Sequence, residues 1–394
     1  MWSAGKIKSA YTVHNKPQLI KGGSQYFKLL LNLIESAKIS IQLQTYIFEE
    51  DETGNLVGKA IIKAAQRGIK VQILLDGYAS RKLSKVFIAE LKSSGIQLRF
   101  FEPIFSGGSY YFGRRLHHKV VVVDGFTALV GGINISDRYN DLPGEPAWLD
   151  WALLVEGDVA FELHRLCNNF YTKGWGEGIV LDKNSNLNAV DEKSNCPIRV
   201  RRNDWVMRRN QISATYMEML KNAKEEIVIM SSYFIPSRFF RKSISAARKR
   251  GVRVQLILAS LSDVGIAKNA ERHLYRWAVL QGVEIYEYKT QVLHGKVALC
   301  DGKFMTIGSY NVNDISAMAS IELNLDVDSV EFVGSVKKIF DTIIQKECYR
   351  VDEYLVLHGY SLFERTKQRM AYILFRFIFR LFTFYFQKKE NKHR

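Results

Sequence analysis

This chain carries one pattern written twice. Ser36-Ala37-Lys38 leads an apolar run ending at Tyr46-Ile47-Phe48, and Asn222-Ala223-Lys224 leads a similar run ending at Tyr233-Phe234-Ile235. Next come Ala64-Ala65-Gln66-Arg67-Gly68 and Ala246-Ala247-Arg248-Lys249-Arg250-Gly251, each leading into a short apolar stretch, Ile73–Leu75 or Leu256–Leu258. Gly95-Ile96 and Gly282-Val283 open another run, and Leu116-His117-His118-Lys119 and Leu293-His294-Gly295-Lys296 close the series. Self-similarity on this scale means two copies of one folding unit.

Each copy reads helix, strand, helix, strand, helix, strand, then a strand bearing the His. The helical pieces end at Arg-Gly, a sound C-cap, and the strands are runs of Val, Ile and Leu suited to a buried sheet. The expected fold is therefore α/β, two pseudo-twofold-related α/β/α sandwich domains with helices on both sheet faces. A length of 394 residues accommodates two domains of ordinary size. The reading divides the chain into a first domain over 1–175, a polar linker over 176–197, a second domain over 198–350 and a C-terminal segment over 351–394. The first copy holds about ten extra residues before its His, within Phe105 to Arg115. Their glycines, aromatics and arginines describe either a lip that touches substrate or a packed surface loop.

The chemistry lies in the residues around each repeated His. The first copy has His117, Lys119, Asp124 and Gly131-Gly132-Ile133-Asn134; the second has His294, Lys296, Asp301 and Gly308-Ser309-Tyr310-Asn311. On a strand, residues two apart share a face, so His and Lys project together. Asp-Gly then makes a turn. Small residues at Gly132 and Ser309 leave room for backbone N–H groups to approach an anion, and Asn134 and Asn311 add donors. Two facing copies would form a phosphate cradle with two His. One neutral imidazole can attack phosphorus while the other, protonated, releases the leaving alkoxide. No metal and no cofactor is called for, and no carboxylate cluster is visible that would hold a metal. A lone His-x-Lys would be read as a core histidine; joint recurrence of five residue types at one spacing favours catalysis.

These two motifs, HxKx4D with a subsequent x6-G-[GS]-x-N, resemble the signature of the phospholipase D superfamily, matched here at 117–134 and 294–311 within a resemblance spanning roughly residues 15 to 350. The resemblance implies two halves paired about a pseudo-twofold axis, metal-free catalysis, and one His as nucleophile with the other as general acid. His117 is the favoured nucleophile and His294 the favoured acid, although near symmetry leaves the assignment open. It also implies an acidic residue in each half that orients the opposite His: Glu322 for His117 and Asp150 for His294. For Asp150 a plain surface carboxylate is an equal alternative.

Within the superfamily the chain is most similar to bacterial cardiolipin synthases, in the short form without N-terminal membrane helices. Tyr46-Ile47-Phe48-Glu49-Glu50-Asp51 with Gly54, the first Gly-Gly-Ile-Asn, and Tyr233-Phe234-Ile235-Pro236 carry that likeness, while Glu322-Leu323-Asn324 departs slightly from its usual pattern. The implied activity is phosphatidyl transfer between phosphatidylglycerol molecules through phosphohistidine. Lipid hydrolysis, or nuclease chemistry at the same site, is the alternative.

Charge and the C-terminus bear on the partner. A net charge of +16 favours a polyanion, either an anionic membrane or nucleic acid. Met370 to Phe386 is aromatic and aliphatic, with Arg365, Arg369, Arg376 and Arg380 near one helical face and a basic tail beyond. That pattern is too short and charged to span a bilayer comfortably and reads as a helix lying in the interface, or else as one docked on the protein's own core. An anionic phospholipid membrane containing phosphatidylglycerol is thus the expected partner, at the cytoplasmic face of the cell membrane, and nucleic acid is disfavoured. The four cysteines, Cys167, Cys196, Cys300 and Cys348, lack metal-like spacing and read as reduced, partly buried thiols. The lipid acceptor and the oligomeric state stay open at this level.

Overall fold

The computed structural model describes residues 10–102, 105–106, 109–110, 114–172, 177–181, 195–262, 264–313 and 320–390, with side chains in the last helix described to Phe377. In the first half the sheet runs, in spatial order, Gln97–Phe101, Lys70–Asp76, Ser40–Thr45, Lys119–Val123, Thr127–Gly131, Trp151–Gly157 and Thr12–Lys21. The second half continues it through Asn195–Asp204, Ser320–Asp328, Phe304–Gly308, Val297–Cys300, Glu226–Ser231, Arg253–Ala259, Glu284–Tyr288 and Cys348–Arg350. The two halves join where Thr12 and His14 pair with Ile198 and Asn195. Strand order is thus mirrored about this junction. The three outermost repeat strands of each half are parallel and the rest antiparallel.

Helices Ser24–Ser36, Glu52–Gln66 and Lys85–Ser93 cover the outer side of the first half. Gln211–Asn222, Arg238–Lys249 and Gly265–Leu280 do the same in the second. Their apolar residues recur at helical spacing, as in Tyr26, Phe27, Leu30 and Ile34, and Ser84 and Ser237 cap helix N-termini through their side chains. The inner faces of both halves share one core. Leu116, Val120 and Trp151 belong to the same buried cluster as Ile198, Val297, Ile321 and Phe340, which binds the halves into one body.

Several sequence expectations shift. The strands begin at Lys119 and Val297, so each His stands at a strand's entrance rather than on it. Pairing of Thr45 with Lys119 aligns Thr45 with Ser231, which the equivalent register, with Met230 opposite Val297, carries to Lys296. Tyr46 therefore corresponds to Ser232, not Tyr233, one residue away from the alignment read by eye. The strand Asn195–Asp204 includes Cys196 and Pro197, so the last part of the expected linker is sheet, and Ile179 within it is buried. Residues 182–194 of that linker lie outside the described residues. All four cysteines are unpaired and buried.

The C-terminal helix, Leu362–Glu390, packs on Gly265–Leu280. Ala371, Tyr372 and Phe375 pack around Ala267, Ala270 and Leu274, with Tyr372 against His273 at 4.9 Å between ring centres, and Gln368 is buried. Phe363, Met370, Ile373, Leu374 and Phe377 remain exposed on the opposite side. The reading as a helix docked on the protein's own core thus holds for one of its faces. Among the described residues, no helix is long and apolar enough to cross a membrane.

Candidate active site

Each half completes its motif on the other half's backbone. Leu116 bridges Ile321 in parallel, and His117 N–H donates to Ile321 O at 3.0 Å. Leu293 bridges Leu149, and His294 N–H donates to Leu149 O at 2.7 Å. The residue after each bridge partner is an acid, so the crossing delivers a carboxylate to each imidazole. His117 Nδ1 lies 2.8 Å from Glu322 Oε2, and His294 Nδ1 lies 2.6 Å from Asp150 Oδ2. Both carboxylates are fully buried. With Nδ1 donating to a carboxylate, Nε2 of each ring is the nitrogen left for chemistry.

Burial acts differently on the members of this cluster. Desolvation pulls His117 below the usual imidazole range, against the opposing pull of Glu322. It pushes the Asp150 carboxyl up to about 7, with Lys296 the largest counterweight. Asp150 thus faces His294 Nδ1 as a carboxyl whose affinity for a proton is raised by burial.

Lys119 and Lys296 belong to the same cluster. Lys119 Nζ donates to His117 O at 2.9 Å and sits 5.2 Å from the centre of the Tyr46 ring. Burial draws this amine down to about 7, opposed first by Glu322. Lys296 Nζ donates to Ser232 Oγ at 3.0 Å and to His294 O, and lies 3.0 Å from His294 Nδ1. The equivalent positions Tyr46 and Ser232 thus give the two lysines unlike neighbours.

The small residues have a different task from the one read in sequence. Gly132 N–H donates to Trp151 O at 3.2 Å, and Ser309 N–H to Leu323 O at 3.0 Å, so both backbone donors are already engaged. A Cβ on Gly132 would stand 2.4 Å from Asp150 Oδ1; the glycine makes room for the carboxylate. Ser309 Oγ donates to Glu322 Oε2 at 2.5 Å. Asn134 donates through Nδ2 to Tyr139 OH at 2.8 Å and accepts Ile47 N–H, while Asn311 accepts from Ser232 Oγ at 2.9 Å. These four residues hold the groups that surround the imidazoles.

Asp124 and Asp301 stand apart. Each lies about 16 Å along its strand from the motif lysine, five residues at about 3.3 Å each. Asp124 accepts backbone N–H groups of Lys38, Ile39 and Ser40, and Asp301 those of Lys224, Glu225 and Glu226. Both adopt positive φ, 52° and 51°, at the turn that ends the strand. They fasten the entrance of the neighbouring strand and do not touch the cluster. The insert's glycines and most of its aromatics lie outside the described residues. Its two arginines are tied down: Arg114 forms a buried ion pair with Asp204 of the other half, and Arg115 donates to Glu102 O at 2.7 Å.

Sequence reading missed the aromatic wall. Tyr139 and Trp148 place their rings 5.2 and 6.0 Å from His294, and Tyr46 places its ring 4.8 Å from His117. Tyr139 OH lies 3.5 Å from His294 Nε2. Trp148 could have been found, since it stands two residues before Asp150 in extended chain. Tyr139 sits on a short 3-10 turn, Asp137–Tyr139, with no periodic signal. Among the described residues, no group of three or more His, Cys, Asp or Glu is placed to hold a metal ion.

Comparison with known proteins gives this geometry a family. The family described as "Cardiolipin synthase, PLD-like domain" matches residues 30–152 and 216–344, once per half. The chain is 32% identical over 358 residues to cardiolipin synthase B of Escherichia coli K12, covering 89% of this chain and 85% of the relative. It is 34% identical to cardiolipin synthase B of Salmonella typhi over the same shares, and 30% identical to cardiolipin synthase 1 of Bacillus anthracis over 82% of this chain and 65% of that one. In three dimensions it resembles phosphatidylserine synthase of Haemophilus influenzae, with a TM-score of 0.73, 14% identity and coverage of 95% and 96% of the two chains. A mirrored pair of α/β units with both His motifs at their junction, matched by sequence over nearly the whole length, leads to one statement: the chain belongs to the phospholipase D-like family of cardiolipin synthase type.

Proposed function

We propose that this enzyme transfers a phosphatidyl group from one phosphatidylglycerol to the glycerol hydroxyl of another, yielding cardiolipin and glycerol through a covalent phosphohistidine. The observation that carries the reading is the exchange of carboxylates between halves, which holds both rings through Nδ1 and so assigns the reaction to Nε2 of each. His117, kept neutral by burial, acts as nucleophile: its Nε2 forms the N–P bond as the glycerol C–O–P bond breaks at phosphorus. The proton held by the His294–Asp150 pair passes to the departing glycerol oxygen. A second phosphatidylglycerol then loses its hydroxyl proton to His294, its oxygen attacks phosphorus, and His117 leaves as neutral imidazole. Glu322 stabilises the cationic ring of the intermediate, and Lys119 and Lys296 offset charge on the non-bridging oxygens. Gly132, Asn134, Ser309 and Asn311 serve the phosphate site indirectly, by placing Asp150, Tyr139, Glu322 and Ser232.

The relatives named as cardiolipin synthases over 85% of their length support this choice of substrate. The exposed apolar face of the C-terminal helix, with Arg365, Arg369 and Arg376 beside it, supports peripheral work at an anionic bilayer, and the proposal assigns it to the cytoplasmic face. Incubation of the protein with phosphatidylglycerol and subsequent lipid mass spectrometry test the reading. Cardiolipin and glycerol in equal amounts are expected, with neither from His117→Ala. Phosphatidic acid as the main product would make water the acceptor and overturn the transferase assignment.

A further inference from the structure

Helix Arg238–Lys249 carries a stripe unrelated to the imidazole pair. Phe240, Ile244 and Ala247 face the core, while Arg238, Arg241, Lys242, Ser245, Ala246 and Lys249 fall on the opposite face at intervals of three and four. No Asp or Glu occurs in this helix. The stripe faces Trp277 of helix Gly265–Leu280 across a cleft of about 380 Å³. Among the described residues, none of these four cations forms an ion pair with a carboxylate.

Arg241 is the most telling member. Its guanidinium stacks over Trp277 at 5.7 Å, and its Nε is buried without a hydrogen-bond partner among the described residues. A buried guanidinium N–H beside three further cations is an arrangement completed by an anion with several acceptor oxygens. The surroundings narrow the choice of anion. Arg369 of the C-terminal helix and Arg241 both act on His273, reinforcing the lowering that burial imposes on its ring. Arg369 is in turn flanked by the exposed Met370, Ile373 and Leu374. Phe239, on the cationic helix itself, is 68% exposed, and Leu280, three residues beyond Trp277, is 60% exposed. A cationic cleft bordered by uncovered apolar side chains and a tryptophan matches the boundary between headgroups and acyl chains, where a phosphate and hydrocarbon lie side by side. Nucleic acid would meet the charge but not the apolar border.

We propose that this cleft binds the phosphate of an anionic phospholipid headgroup, as a docking site separate from the catalytic cluster. The lipid assignment rests on the proposed function, whereas the anion site rests on the cleft alone. The test uses the full chain and vesicles of mixed phosphatidylcholine and phosphatidylglycerol. Arg241→Gln, Lys242→Gln and Lys249→Gln together are expected to weaken vesicle binding by on the order of 100-fold, from about 1 kcal/mol for each basic residue near a membrane surface. Lys59→Gln, Lys63→Gln and Lys70→Gln, which remove the same charge from exposed positions on the first half, should retain binding within about threefold. Equal losses in the two triples would reduce the effect to general attraction and overturn the site. Lys242→Glu alone, at an exposed position, reports the same loss if the triple folds poorly; unchanged binding by it overturns the proposal. Inorganic phosphate should displace the protein no better than sodium chloride of matched ionic strength; stronger displacement would assign the cleft to free phosphate. Cardiolipin formation from detergent-dispersed phosphatidylglycerol should be unchanged in all these variants. Absence of that reaction from the unsubstituted protein would refute the catalytic reading while leaving the vesicle result to stand.

Discussion

Replacing Glu322 with Gln isolates the charge that stands behind His117. The side chain is fully buried, 2.8 Å from Nδ1 and 2.5 Å from Ser309 Oγ, and Gln has the same shape. The amide oxygen can still accept one hydrogen bond, so ring position should survive while the negative charge is lost. A unit charge pair at this separation is worth about 6 kcal/mol at an effective dielectric of about 20, an upper figure because the retained hydrogen bond and relaxation return part of it. The expected net loss is about 2–4 kcal/mol in the transition state, or about 30- to 1,000-fold in kcat. The pH dependence supplies a second signature. In the proposed mechanism attack requires a neutral His117, so activity should fall as pH drops through its pKa. Burial lowers that pKa and Glu322 raises it. Removing the carboxylate therefore shifts the acid limb further down. On the alkaline side, Lys119 loses its charge near pH 7 in the free enzyme, so kcat/KM should decline there in the parent, and at lower pH in the variant, which lacks the carboxylate that raises the Lys119 pKa. Steady-state transfer with detergent-dispersed phosphatidylglycerol across pH measures both effects. A variant within threefold of the parent, with an unmoved acid limb, would refute the reasoning that Glu322 acts through charge on His117.

The motif aspartates should behave as structural residues. Asp124→Ala or Asp301→Ala is expected to lower stability by about 1–3 kcal/mol while keeping kcat within about fivefold, because each loses charge-assisted bonds to three backbone N–H groups far from the imidazoles. Thermal unfolding alongside turnover checks this; a variant that melts normally but is inactive would contradict it. Removing residues 378–394 should reduce sedimentation with anionic vesicles. Removing 367–394 should also lower the melting temperature, because it uncovers Ala267, Ala270 and Leu274. Full sedimentation of both truncations would refute a membrane role for this helix.

Much of this was legible in the residues. Duplicated apolar runs and Arg-Gly helix ends gave the alternating elements, because core burial leaves a period in sequence that survives without coordinates. His117, Lys119, His294 and Lys296 stood out through joint recurrence. The hidden features depended on pairings far apart in the chain. Nothing in the spacing of Gly132 reveals that its missing side chain makes room for Asp150, or that its N–H is committed to Trp151. The nearness of Asp124 to the chemistry in sequence disguised a side chain at the far end of the strand. Aligning Tyr46 with Tyr233 by letter concealed that Ser232 occupies the equivalent place, and only strand register exposed the difference. The C-terminal pattern carried two apolar faces, and sequence alone could not say that one already had a helix beneath it.

The crossed backbone bridges at Leu116–Ile321 and Leu149–Leu293 have an effect on how this molecule tolerates change. Neither copy of the repeated unit owns a finished His–carboxylate pair; each lends its acid and borrows its sibling's. A substitution that tilts Ser320–Asp328 is therefore felt first at the imidazole of the other copy. Duplicated units are ordinarily free to diverge once one suffices, but here reciprocal custody of the acids makes them answerable to each other.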